Sequence, residues 1–376
     1  MLIRASDAGA VASAASTDAS FPAASLPGAA AGSPPNSTSS SPVSAAAAPW
    51  PPRRRALAAA GGVAVLGALP RVAIGQGAWP NKPVRVIVTN PPGGLTDAYA
   101  RQYSEVMSRK FGQPFVVDNR PGAGGIIAAD ALAKSPADGY TLMVAIQTPM
   151  WNGRVLYKSL PYDPDKAFAP ITLFPAGALA FGVNAKLPVK TPDDYVAWAA
   201  KNAAAIGTYA AGSWPHMIAD TWNRTRGLKF DVIHYKGEPP MWVDVASGQV
   251  SGGLGSFQAM NTHIERGTVR PIAVVGQRRS PRLPDVPTFT EQGHKDPIFA
   301  LDGWLPMVAP AGTPEDILQK LSEATLEAYQ TPKIQQLHET FGIPNGPVGL
   351  EEARRRWKEE APQWVAIADR LGIKLD

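Results

Sequence analysis

From residue 79 onward, short apolar runs alternate with stretches whose apolar residues recur every three or four positions. The first pattern predicts strands buried on both faces and the second predicts amphipathic helices, so their alternation predicts an α/β fold. Val84-Arg85-Val86-Ile87-Val88 reads as the first strand. The turn Asn90-Pro91-Pro92-Gly93-Gly94 follows, and a helix is predicted from near Thr96, with Tyr99, Ala100, Tyr103, Val106, Met107 and Phe111 on one face and Gly112 as its stop. The scheme repeats with a strand at 115–117, a loop at 119–125 and a helix at 126–134, before a third strand at 140–146. Further strands are predicted at 181–183, 206–209, 232–235, 272–275 and 304–308, and further helices at 193–202, 216–224 and 315–330. A last helix, Leu350 to Leu371, is expected to be interrupted near Pro362, because proline removes a helical N–H and its ring crowds the preceding turn. No internal repeat is visible, which argues against solenoids and propellers.

The pattern before residue 79 is different. Residues 1–50 contain 16 Ala and 11 Ser with almost no large apolar residue, a composition that cannot offset its ordering entropy by burial, so this stretch is expected to be a disordered tail. Arg53-Arg54-Arg55 then precedes an uncharged stretch at 56–69 and Pro70. A basic segment followed by a short apolar one predicts a signal peptide over 51–77, too short to cross a membrane as a stable helix. Small residues in Ala73-Ile74-Gly75 and Gly75-Gln76-Gly77 place cleavage near 75–78, and export is the expectation. The paired arginines and Leu57 suit the twin-arginine route, although Ala56 stands where phenylalanine is usual.

That division changes the charge balance. The whole chain of 376 residues has 36 Lys+Arg against 31 Asp+Glu, a net +5. Residues 1–78 hold five of the basic residues (Arg4, Arg53, Arg54, Arg55, Arg71) and two of the acidic ones (Asp7, Asp18), which leaves +2 for the remainder. No basic stripe stands out there, so a nucleic-acid partner is not expected. The chain has no cysteine, which excludes disulfides and thiolate metal sites.

Candidate chemistry centres on the two glycine-rich loops. Each follows a strand and precedes a helix, so backbone N–H groups and the positive helix end face whatever binds there, which suits a carboxylate or a phosphate. Gly122-Ala123-Gly124-Gly125-Ile126-Ile127 lacks the third small residue of a dinucleotide fingerprint, and no phosphate-binding G-x-x-x-x-G-K-[ST] occurs. There is no G-x-S-x-G, no H-E-x-x-H and no paired histidines on a helix among His216, His234, His263, His294 and His338. No catalytic residue, metal or cofactor is therefore expected. Asp193-Asp194 and Glu351-Glu352 complement helix starts, and Arg354-Arg355-Arg356 reads as a solvated helix face. Trp198, Trp222, Trp242, Trp357 and Trp364 fit helical core stripes, whereas Trp151, Trp214 and Trp304 fall in loops or strand ends and are candidates for a ligand cleft.

These motifs coincide with a family. Trp79-Pro80-Asn81-Lys82-Pro83-Val84-Arg85-Val86-Ile87-Val88, with Pro92-Gly93-Gly94, Asp97 and Ala100-Arg101, resembles the start of the tripartite tricarboxylate transporter substrate-binding proteins, the TctC-like or Bug receptors. The likeness continues through Val116-Val117-Asp118-Asn119-Arg120, Gly122-Ala123-Gly124-Gly125, Asp138-Gly139-Tyr140-Thr141-Leu142 and Leu160-Pro161-Tyr162-Asp163-Pro164. It ends with Tyr235-Lys236-Gly237, Leu283-Pro284-Asp285-Val286-Pro287-Thr288, Ala309-Pro310-Ala311-Gly312-Thr313-Pro314 and Gly372-Ile373-Lys374-Leu375-Asp376.

The resemblance implies a non-catalytic periplasmic receptor of the Venus-flytrap kind, monomeric by default, whose two α/β lobes close over a small carboxylate and deliver it to membrane permease subunits. One lobe would comprise 79–178 plus 302–376 and the other 179–301. The proximal carboxylate would lie against Asn90, Pro92, Gly93, Gly94, Asp97 and the turn Gly122, Ala123, Gly124, Gly125. Thr148 and Asn152 would serve from the third loop. The second lobe would contribute Ala210, Ala211, Gly212, Ser213 and Trp214, with Gly255 and Ser256. A receptor that signals to a membrane kinase, or an enzyme on the same scaffold, remains an alternative under the same resemblance.

Three departures from the family pattern bear on the ligand. Asn90 replaces a usual aromatic residue, Ala210-Ala211 replaces a Gly-Ser pair, and Gly255 stands where an aspartate is frequent. Loss of that acid argues against an amino-bearing ligand, and Trp214, with Trp151 and Trp304 near it, would favour a flat or aromatic acid.

Overall fold

The computed structural model describes residues 79–375, so the expected tail and signal peptide lie outside the described residues. In chain order the first elements are β1 (Val84–Val88), α1 (Leu95–Phe111), β2 (Phe115–Asn119), α2 (Ile126–Ala133), β3 (Thr141–Val144), the short helices α3 (Gln147–Met150) and α4 (Gly153–Leu156), and β4 (Phe168–Pro175). Then come β5 (Leu179–Asn184), α5 (Pro192–Ala199), β6 (Ala205–Thr208), α6 (Trp214–Arg226), β7 (Asp231–His234), α7 (Glu238–Ser247), β8 (Gly252–Ser256), α8 (Phe257–Glu265) and β9 (Val269–Val274). The chain closes with β10 (Trp304–Pro310), α9 (Glu315–Tyr329), α10 (Pro332–Phe341) and α11 (Leu350–Leu371).

The strands form two five-stranded sheets, β2-β1-β3-β10-β4 and β7-β6-β8-β5-β9. In the first, β1 pairs parallel with β2 and β3, and β10 runs antiparallel to β3 and β4. The second repeats this plan: β6 is parallel to β7 and β8, and β5 is antiparallel to β8 and β9. Each mixed sheet with its helices is one lobe of a periplasmic-binding-protein fold. The chain passes between the sheets after β4 and again after β9, and the strands flanking those passages are neighbours, β4 beside β10 and β5 beside β9. The passages are also bonded to each other, Ala176 N–H to the Gly303 carbonyl at 2.8 Å and Val275 N–H to the Leu179 carbonyl at 2.7 Å. Two adjacent connections of this kind allow the lobes to turn about one axis while the sheets stay rigid.

The central strands carry the core. Val84, Val86, Ile87 and Val88 of β1 and Leu142, Met143 and Val144 of β3 are fully or almost fully buried, as strands with helices on both faces should be. In α1 the residues that cover this sheet, Tyr99, Ala100, Tyr103 and Met107, are the predicted apolar face. Gly112 ends that helix in a left-handed conformation (φ 67°), with its N–H on the Ser108 carbonyl.

The expected interruption of the last helix does not occur: α11 runs unbroken through Pro362. An interior proline costs about 3 kcal/mol, but Ala361, Trp364, Ile367, Ala368 and Leu371 on both sides of it are buried. Each large apolar side chain buried contributes about 1.5–3 kcal/mol, so tertiary packing outweighs the local defect. β8 was invisible to hydrophobic patterning because it reads Gly-Gly-Leu-Gly-Ser. A Cβ on Gly252 would lie 2.8 Å from the Phe181 ring, and one on Gly253 3.2 Å from a Val245 methyl, so close packing sets the composition of this strand.

Candidate functional site

The turn after β1 is built by a carboxylate. Gly93 has φ +100°, a conformation that favours glycine, and its N–H donates to Asp97 Oδ2 at 3.2 Å. The same carboxylate accepts from Asn119 Nδ2 at 2.9 Å and from Arg101 Nε at 3.0 Å. Asp97 is only 5% exposed, and its lone pairs are committed to these donors. The expectation that it contacts ligand is therefore corrected: it is a positioning residue that holds the Pro92-Gly93-Gly94 turn. Gly94, the N-cap of α1, provides no side chain to cap the first-turn N–H groups, which leaves that helix end available to an anion.

The second glycine loop is left-handed throughout, with φ of 135° at Gly122, 44° at Ala123, 59° at Gly124 and 94° at Gly125. A Cβ on Gly124 would come within 2.7 Å of Tyr157 Oη and 2.8 Å of the Ala211 carbonyl oxygen. Ala211 belongs to the other lobe, so this glycine permits the lobes to meet. They also touch where Pro91 faces Gly237, at which a Cβ would lie 2.7 Å from the proline ring.

Between these contacts lie two chambers. The inner one, about 40 Å³, is lined by Asn90, Gly94, Leu95, Thr96, Gln147, Trp214, Glu238 and Ser256, with Leu179 and Leu305 among its apolar walls. The outer one, about 180 Å³, is lined by Gly122, Ala123, Gly124, Gly125, Ala210, Ala211, His234 and Lys236. Asn90, Pro91, Ile146, Tyr209 and Gly237 line both chambers, so these residues form the partition between them. The N-terminal ends of α1, α6, α7 and α8 all reach the inner chamber, through Gly94 and Leu95, Trp214, Gly237 and Glu238, and Ser256 respectively. No Lys, Arg or His lines it. Its field comes from helix ends and amide dipoles, which favour an anion without a fixed counter-cation.

Two of its polar side chains were not singled out in the sequence: Gln147 and Glu238. Gln147 Nε2 is buried without a hydrogen-bond partner. Glu238 Oε2 accepts from Ser256 N–H at 2.9 Å and from Ser256 Oγ at 2.6 Å, and burial raises its pKa against the opposing effect of those bonds. Tyr209 is raised as well, first by burial and then by the nearby Glu238 charge. Gly255 accommodates this arrangement, since a Cβ there would lie 3.1 Å from Glu238 Oε2. A carboxyl does reach the chamber from the second lobe, that of Glu238 on α7.

The remaining candidates separate. Trp214 lines the inner chamber, and its Nε1 donates to the Ile298 carbonyl at 3.3 Å. Trp151 does not line either chamber; it is fully buried, edge-on to Trp357 at 5.5 Å and tilted against Trp364 at 6.4 Å. Trp304 lies under the Arg356 guanidinium, 4.6 Å from ring centroid, and faces a different cavity of about 300 Å³ beside the second interlobe passage. Thr148 and Asn152 line neither chamber, because both bond the Gly212 carbonyl across the lobes. Ser213 Oγ is turned back on the Ala210 carbonyl at 2.6 Å. Behind that loop His216 Nδ1 accepts from Gly212 N–H at 2.9 Å, and burial, then the His234 ring, holds its pKa down to about 3.

Among the described residues no group of three His, Asp or Glu is placed to hold a metal, and no helix is long and apolar enough to cross a membrane. What the arrangement can do is enclose a short anion, with donors from helix ends on one side and a lone carboxyl on the other.

Comparison with known proteins shows the family and the fold. Residues 99–373 match the family described as the tripartite tricarboxylate transporter family receptor, TctC. BugT of Bordetella pertussis is 32% identical over 300 residues, which is 79% of this chain and 91% of that protein. A solved R. palustris protein with adipate is 30% identical with a TM-score of 0.73, covering 79% of this chain and 100% of the other. MatC from Rhodopseudomonas palustris, solved with bound malate, is 26% identical with a TM-score of 0.69, covering 77% and 99%.

Proposed function

We propose, because this chain belongs to the tripartite tricarboxylate transporter receptor family, that it captures a small carboxylate between its lobes and delivers it to membrane permease subunits. The observation that carries the reading is the convergence of four helix N-termini, those of α1, α6, α7 and α8, on an inner chamber that no Lys or Arg lines. A carboxylate is the anion of the right size for helix-end N–H groups in so small a space, and the relatives solved with adipate and malate carry carboxylates. Residues 79–178 with 302–376 act as one lobe and 179–301 as the other. Closure shifts a two-state equilibrium, in which the ligand favours the closed form because only there do both lobes contact it. The receptor works in the periplasm as a monomer, and releases its ligand unchanged.

The ligand is short and aliphatic. One of the three tryptophans expected in the cleft, Trp214, lines the inner chamber, so the argument for an aromatic acid loses most of its support. The test is calorimetric titration of protein stripped of bound ligand by unfolding and refolding, using short aliphatic mono- and dicarboxylates beside aromatic acids. Saturable binding of an aliphatic acid is expected, with the ligand recovered intact. Failure of every carboxylate to bind would remove the reading.

A further inference from the structure

The cavity of about 300 Å³ that Trp304 faces lies across the interlobe passages from the inner chamber. At the first passage Ala176 and Leu179 line the chamber, whereas Pro175, Gly177 and Ala178 line this cavity. At the second, Leu305 lines the chamber, and Leu301 and Trp304 line the cavity. The passages are therefore a thin wall between the two spaces. Trp214 lines both of them and is held tightly in that wall. A Cβ on Gly303 would lie 2.7 Å from its ring, and the indole stands edge-on to Trp364 at 5.5 Å. The remaining walls come from opposite lobes, residues 277–281 on one side and 342–345 on the other.

The lining has the chemistry of a small-ligand site, with apolar walls and a few polar groups at one end. Pro175, Leu301, Ile343 and Trp304 are apolar, and Arg278 and Arg279 stand beside them. Arg279 is paired with Glu291 at 3.0 Å, but Arg278 forms no hydrogen bond or ion pair among the described residues. Asp302, the acid of the lining, is shared with an adjoining cavity of about 200 Å³ that Arg356 and Glu360 also line.

We infer that this cavity is a second binding site, for a monocarboxylate with an aromatic or branched body, and that its occupation favours the closed receptor. The body packs on Trp304 and Ile343, and the carboxylate pairs with Arg278. The sign of the coupling follows from the position of the wall. A turn about the passages that parts the lobes at the cleft brings 277–281 toward 342–345 behind it, so an occupant there resists opening. Linkage makes the effect reciprocal between the two sites. The second site stands on its own lining; only the coupling rests on the cleft being a carboxylate site.

The experiment is calorimetry with phenylacetate, and with its neutral amide, on the wild-type protein and on Gly94→Trp, Arg278→Ala and Gln277→Trp. Positions 277 and 278 are exposed, so these two substitutions leave the core untouched. Phenylacetate is expected to bind wild type and to keep saturable binding in Gly94→Trp, whose indole blocks the inner chamber. Arg278→Ala, or the neutral amide on wild type, should weaken binding about tenfold, as loss of a charge-assisted pair does. Gln277→Trp should abolish it by filling the cavity. With phenylacetate saturating, succinate, glutarate or adipate should bind wild type about fivefold or more tightly. The site is overturned if phenylacetate does not bind, if Gly94→Trp abolishes its binding, or if Arg278→Ala and Gln277→Trp leave it unchanged; the carboxylate reading of the cleft then stands. Unchanged or weaker aliphatic binding overturns the coupling. If phenylacetate behaves as expected but none of the three aliphatic acids binds, the cleft reading and the coupling fall and the second site remains.

Discussion

The side-chain amide of Asn152 donates to the carbonyl oxygen of Gly212 at 3.0 Å, and the bond runs from one lobe to the other. Thr148 Oγ1 donates to the same oxygen at 3.0 Å. The Gly212 N–H is held in turn by His216 Nδ1, so the acceptor is fixed from behind by its own lobe. One carbonyl therefore gathers two donors across the lobes, and it is expected to latch the closed form.

Removal of both donors tests the latch. In Thr148→Val with Asn152→Ala, the buried Gly212 carbonyl loses its partners across the lobes, at about 1–3 kcal/mol for an unsatisfied buried group. Ligand affinity is expected to fall by roughly tenfold to a hundredfold. Small-angle scattering with saturating ligand should show a larger radius of gyration than wild type. Wild-type affinity and dimensions in the double variant would rule out a latch here.

Gly94 offers a substitution that blocks the chamber without straining the fold. Its φ is −93°, ordinary for any residue, and a Cβ there meets nothing within 4 Å. Gly94→Trp should keep the wild-type melting temperature within about 2 °C, since surface-like substitutions without strain are near neutral, yet abolish ligand binding because the indole occupies the inner chamber. Calorimetry and thermal unfolding on one sample measure both. Undiminished affinity would mean that the ligand sits elsewhere.

His216 makes stability depend on pH with a defined sign. Its folded-state pKa is held from 6.5 down to about 3, first by burial and then by His234, so the unfolded chain binds a proton that the folded one refuses. The stabilisation is complete above pH 6.5 and is lost as pH falls toward about 3, on the order of a few kcal/mol. His338, held at about 4 mainly by burial, adds to the same slope. Urea midpoints at pH 7 and pH 4.5 should differ more for wild type than for His216→Asn. Equal slopes would assign the acid sensitivity to other groups.

Much of the frame was legible locally. β1, α1 and the glycine turns follow from apolar spacing and from positions where φ is positive, and both are properties of adjacent residues. Errors came where long-range packing set the composition. Glycine in β8 marks the approach of Phe181 and Val245, and Pro362 is carried through α11 by the buried residues around it. Asp97 was correctly placed beside the first turn, but one of its donors, Asn119, comes from β2 and is not visible among adjacent residues, whereas Arg101 is its neighbour one turn on in α1.

The sequence alone therefore determined the α/β alternation, the anion-suited turns and the family, since each is written in contiguous residues. Only the tertiary structure decided what the chamber contains. Glu238 follows Tyr235-Lys236-Gly237 and looks like an ordinary helix-start acid, and Gln147 looks like a polar loop residue, until two lobes bring positions some 90 residues apart to one cavity. It also sent Trp151 into the core and Trp304 to another cavity. The physical reason is that burial and unsatisfied polarity are properties of the closed surface between segments, and no local periodicity encodes them.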